Sequence, residues 1–107
     1  MGMRSLFIED IAKELKVPEK GILSRTVHED SSSKIVLFGF ARGEELSEHT
    51  SSMPALISIA RGEARLLLGT RTVRAKAGSL IHMAPGLRHA VKALTPVVML
   101  LVLIKKE

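Results

Sequence analysis

The chain has 107 residues, enough for one domain with its own hydrophobic core and too few for two. It has no cysteine, which excludes disulfides, thiolate metal sites and a cysteine nucleophile. Its net charge of +5 comes from Lys and Arg scattered singly, with Lys105-Lys106 the only adjacent pair, and its aromatics are Phe7, Phe38 and Phe40 alone; neither a basic stripe nor a base-stacking platform forms, so nucleic acid is not expected as a partner.

The surplus charge suits a solvated surface with some attraction for anionic ligands. No charged stretch leads into an apolar run and cleavage site, and no apolar run approaches the roughly 20 residues that cross a bilayer. A soluble cytoplasmic protein with no membrane contact is the expectation. Asn and Gln are absent as well as Cys, a bias of heat-adapted proteins, so a thermophilic source is expected, although five Met run against it.

Along the chain, Ile8, Ile11, Ala12 and Leu15 fall at the spacing of one helical face, with Glu9, Asp10, Lys13, Glu14 and Lys16 opposite. This predicts a short amphipathic helix over 5–17, stopped by Pro18 and Gly21. The period then changes to that of strands. Ile22 to His28 and Lys34 to Ala41 read as a pair joined by the polar turn Glu29 to Ser33. Further strands are expected at His49 to Ser51, Leu56 to Ala60, Ala64 to Leu68, Arg71 to Ala75, Ser79 to Met83, Ala90 to Ala93 and Val97 to Ile104. Short strands punctuated by Arg-Gly, Leu-Gly-Thr, Ala-Gly and Pro-Gly turns mark an all-β sandwich or barrel over 22–104. The last of them, Val-Val-Met-Leu-Leu-Val-Leu-Ile, does not alternate, so both its faces should be buried. One face fills the barrel; the other needs the N-terminal helix or a second copy as cover, and a homodimer is expected, isologous pairs being the commonest oligomers.

Two segments carry a finer pattern. Gly43 is followed by five residues, His49, one residue, Ser51, three residues, Ala55, six residues and Gly62; Gly78 is followed by five residues, Ala84, one residue, Gly86, two residues and His89. In order and spacing these resemble the paired motifs of the cupin superfamily: Gly, five residues, His-x-His, three or four residues, Glu, six residues, Gly, then Gly, five residues, Pro-x-Gly, two residues, His. The resemblance covers residues 35 to 104 and implies a double-stranded β-helix, or jelly-roll barrel, with a short N-terminal helix. The glycines are in register, and His49 and His89 occupy the first and last ligand positions. Ser51 stands in place of the second histidine, Ala55 of the glutamate and Ala84 of the proline.

The resemblance implies a pocket inside the barrel, and alternation from His49 puts Ser51, Met53 and Ala55 on the same inward face, with His89 arriving from the opposite strand pair. A transition-metal site takes three or four nitrogen or oxygen ligands. Two imidazoles fall short, so no cofactor is expected; the alternative is one divalent transition metal on His49 and His89, with His82 as a third ligand or a proton-transfer group. His82 shares a face with Leu80, and its bland reading is a half-buried histidine satisfied by backbone or water. His28, beside the polar turn, reads as solvated. Among the arginines, Arg88 is the one placed to receive a ligand carboxylate; Arg42, Arg61, Arg65 and Arg74 read as surface residues. Glu44, Glu45 and Glu48 fall on a loop before His49, where Glu48 faces away from it and makes a poor substitute for the missing glutamate.

Three functions fit. The first is a small-molecule-binding cupin, its ligand contacted by His49, Ser51, Met53, His82 and His89. The second is an enzyme, either an isomerase or epimerase using histidine as acid and base or a metal-dependent dioxygenase or decarboxylase. The third is a relative of the sensor barrels of transcription regulators, although no helix-turn-helix pattern is visible. The missing carboxylate favours binding, and the fold alone does not choose.

Overall fold

The structure, a computed structural model, describes residues 4–105; Lys106 of the terminal lysine pair lies outside them. It is all-β apart from one helical turn, α1 (Ile11–Glu14), followed by β1 (Ile22–Glu29), β2 (Ser33–Phe40), β3 (Glu45–His49), β4 (Ala55–Arg61), β5 (Glu63–Leu68), β6 (Arg71–Lys76), β7 (Leu80–Met83), β8 (His89–Ala93) and β9 (Val97–Ile104). Two antiparallel sheets face each other, one ordered β1-β2-β9-β4-β7 and the other β3-β8-β5-β6. The turn spacing predicted a sandwich or barrel, and the arrangement is the jelly roll that the resemblance implied. No helix of the described residues is long and apolar enough to cross a membrane.

Between the sheets the alternation of each strand supplies the core. Phe40, Ile57, Ile59, Leu66, Val91, Val97 and Met99 are each at most 2% exposed, and burying one large apolar side chain of this kind contributes roughly 1.5–3 kcal/mol. No polar side-chain atom buried among the described residues lacks a partner.

The N-terminal segment is less helical than its periodicity predicts. Only Ile11–Glu14 forms a turn: Asp10 caps it, accepting a hydrogen bond from the Ala12 amide at 3.0 Å, and Leu15 is already extended at φ −130°. Four residues give too few backbone bonds for an independent helix, so tertiary contact sets the conformation. Leu15 packs with Leu37 and Val98 on the outer face of the five-stranded sheet, bordered by Val17 and Val27. Gly39 makes the approach possible, since a β-carbon there would meet Leu15 Cδ2 at 3.2 Å. The cover reaches only one end of β9: Val97, Val98 and Met99 are buried, Leu100 to Leu103 half-buried, and Ile104 is 39% exposed.

The β1–β2 turn is held by one side chain. The Asp30 carboxylate accepts from His28 Nε2 at 2.7 Å and from the Ser32 and Ser33 amides at 2.8 and 2.9 Å. These bonds, His28 first, hold its pKa at about 2 against an ordinary 3.8. The ionised carboxylate therefore stabilises the fold above pH 3.8, and the contribution is lost as pH falls toward 2. Urea midpoints of the wild type and Asp30→Ala should differ at pH 5 to 7, with the variant lower, and converge on acidification through that window. A gap that persists unchanged at about pH 2 refutes this role for the charge.

Candidate functional site

His49 is the last residue of β3 and His89 the first of β8, and the two are paired across the ladder. Their rings meet edge to face, with centroids 4.2 Å apart and planes at 62°. His89 is 7% exposed, whereas His49 is open to solvent. Each imidazole is fixed in the same way. Nδ1 of His49 donates to the Ser47 carbonyl at 2.7 Å, and Nδ1 of His89 donates to the Leu87 carbonyl at 2.9 Å. A carbonyl can only accept, so both Nδ1 atoms carry the proton, and in the neutral rings both Nε2 atoms present a lone pair. Two such acceptors cannot hydrogen-bond each other. Whatever bridges them must bring donors.

The pair opens on a cavity of about 50 Å³ floored by Phe38, Leu46, Ile57, Val91, Met99 and Leu101. That volume holds a water or two, or the polar head of a ligand whose body stays outside. These apolar residues are the part of the site that sequence reasoning missed. The inward parity of β2, β4 and β9 identifies Phe38, Ile57, Met99 and Leu101, but only once the strands are known to face one another.

A family model described as a cupin domain matches residues 36–103. The chain belongs to the cupin family. Among solved structures, this cupin is similar over 98% of its length to a conserved protein of unknown function from Streptococcus pyogenes, at 30% identity with a TM-score of 0.86 and 92% of that chain covered. A cupin superfamily protein from Desulfitobacterium hafniense superposes at TM-score 0.86 with 22% identity, covering 99% of this chain and 100% of that one. KdgF from a Halomonas species superposes at TM-score 0.80 with 20% identity and 96% coverage of both chains. The last two, at such identities, show the fold alone. No protein of curated function matches the sequence.

Several expected members of the site lie elsewhere in this cupin. β3 spans Glu45–His49 and ends at the histidine instead of starting there, so residues 50–54 form a loop that carries the chain from one sheet to the other. Alternation beyond His49 therefore fails. Ser51 Oγ is turned into that loop, accepting from the Met53 amide at 3.1 Å, while the Ser51 carbonyl accepts from Gly86 N at 2.8 Å. Neither Ser51 nor Met53 lines the cavity. Ala55 opens β4 in the opposite sheet, 2% exposed and without a donor atom. Glu45 and Glu48 belong to an edge strand, not a loop; acidic side chains on its solvent face hid it.

His82 does not join the pair. On β7 the buried Met83 and half-buried Ile81 point inward, and His82 goes with Leu80, which is 71% exposed, on the other face. Arg88 is turned outward to Glu48 at 3.1 Å, its side chain 74% exposed, an arrangement worth at most about 1 kcal/mol. His28 is engaged with Asp30 at the distant hairpin turn.

The donor set does not fit a resident transition metal. Two imidazoles converge, the Ser51 hydroxyl is committed to the backbone, Ala55 offers nothing, and among the described residues no group of three or more His, Cys, Asp or Glu comes together.

Proposed function

We propose that this cupin is a small-molecule-binding barrel whose ligand is a neutral hydrogen-bond donor, a vicinal diol or small polyhydroxylated compound, seated with two hydroxyls on Nε2 of His49 and His89. The observation that carries the reading is the shared tautomer: both Nδ1 atoms are spent on carbonyls, leaving two bare acceptors side by side over an apolar floor.

The site works in this reading without a bound metal, since two protein ligands leave most of a divalent ion's shell to water. A cytoplasmic location belongs to the same proposal. So does a second copy of the chain over the end of the five-stranded sheet that α1 leaves bare.

The test follows the histidine side-chain nitrogens by NMR during titration with small diols and monosaccharides at neutral pH, beside elemental analysis of the purified protein. Saturable shifts at Nε2 of both rings are expected. Replacing His49 or His89 with Ala should weaken binding about three- to tenfold, the worth of one neutral hydrogen bond. Close to one Zn, Ni, Fe or Mn per chain would overturn the metal-free reading, and Nε2 signals indifferent to every diol would overturn the ligand class.

A further inference from the structure

A second concave site lies where β6 and β7 meet. β6 is the last strand of the four-stranded sheet and β7 the last of the five-stranded sheet, so each has one unpaired edge, and the two are joined by the turn at residues 77–79. That turn is pinned: Gly78 N donates to the Ile59 carbonyl at 2.9 Å, and Ser79 N to the Lys76 carbonyl at 2.8 Å. From it the strands part into different sheets and leave a cleft of about 300 Å³, at the lower end of the range for small-molecule sites.

Its chemistry is two-sided. Leu68, Val73 and Ile81 form an apolar floor, each half-buried against the main core. Arg71, Arg74 and His82 form the rim, and no Asp or Glu lines the cleft. Arg74 is held by Glu63 at 2.6 Å. Arg71 and His82 make no ion pair among the described residues. Arg71 stands on the face of β6 that carries Val73 and Ala75, and is paired in register with Leu68, so its guanidinium adjoins the floor and not the outer surface of the sheet.

An apolar floor beneath a rim whose Arg71 has no ion-pair partner among the described residues selects a molecule with an apolar body and one negative end. The guanidinium fork matches a carboxylate with two parallel hydrogen bonds, and a neighbouring imidazole adds a third donor. We propose that the β6–β7 cleft is a second ligand site, separate from the histidine cavity, for a small monocarboxylic acid with an aliphatic or aromatic body, its carboxylate on Arg71 beside His82 and its body against Val73 and Ile81. This gives His82 a role outside the histidine pair, and it does not depend on what the pair binds.

The probe is benzoate, with benzamide as the uncharged isostere, followed by backbone and methyl NMR on the full chain. The expected result is a saturable shift of the Val73 and Ile81 methyls and of the Arg71 and His82 amides, with a Kd of about 1 mM or tighter. Benzamide should fail to saturate. Arg71→Gln, at an exposed position that leaves the core untouched, should weaken benzoate about tenfold or more, and His89→Ala should leave it unchanged. Shifts centred on His49 and His89, equal binding of benzamide, undiminished affinity in Arg71→Gln, or no saturation at ten times the expected Kd would each overturn the proposal.

Discussion

Gly62→Ala should destabilise this cupin by about 3 kcal/mol or more, a large share of the 5–15 kcal/mol that holds a typical domain folded. Gly62 turns the chain from β4 to β5 at φ +86°, a conformation that costs a residue with a β-carbon about 1–2 kcal/mol. The neighbours add a second penalty. An alanine β-carbon would fall on the Pro96 carbonyl oxygen and 2.7 Å from Thr95 Oγ1. Neither can withdraw freely, because Thr95 Oγ1 accepts from Glu63 N at 3.0 Å and Leu94 N donates to the Glu63 carbonyl at 2.9 Å, tying the two turns together. Forced overpacking of this kind costs roughly 1–3 kcal/mol more. Gly86 is the control: its φ is +82°, yet nothing lies within 4 Å of an added β-carbon, so Gly86→Ala should cost only the conformational part, about 1–2 kcal/mol. Urea unfolding of the two variants decides the matter, and equal losses would mean that the contact with Pro96 relaxes at no cost.

Val102→Asp should convert a dimer into a folded monomer. On the outer face of the five-stranded sheet, register aligns Ile35, Val102, Leu56 and His82 in one row and Leu37, Leu100, Ser58 and Leu80 in the next. Leu15 covers Leu37 and Val98 at one end; Leu56, Leu80, Leu100, Val102 and Ile104 remain half-buried or exposed at the other. A twofold-related copy would bury this patch against itself, at roughly 1.5–3 kcal/mol for each large side chain fully removed from water. An aspartate at its centre would be buried without a partner, which association cannot tolerate, whereas a monomer leaves it solvated. Leu101→Asp behaves differently, because Leu101 faces the cavity and its replacement damages the core. Light scattering at micromolar concentration checks both. A monomeric wild type, or a dimer that survives Val102→Asp, rules out this surface as the interface.

The sequence determined the fold through signals local to each strand. Short runs of strand-forming residues within 34–41, 64–68 and 97–104, and glycines where the chain must reverse, suffice for an antiparallel barrel, because strand propensity and left-handed turns depend on residues a few positions apart. The spacing of the two glycine-framed motifs likewise identified His49 and His89, which the structure brings to 4.2 Å. What lay beyond the sequence was every feature decided by a distant partner. Periodicity over 5–17 promised a longer helix than the sheet surface accepts, and only Ile11–Glu14 keeps it. Parity carried on past His49 put Ser51 and Met53 in the pocket, although the chain leaves its sheet there and alternation has no meaning in a loop. The cavity floor, the tautomer of each histidine and the cationic rim at β6 and β7 all join residues from strands far apart in the chain. Local propensity carries no information about which strands become neighbours across two sheets. Packing decides that, by matching whole apolar faces at once.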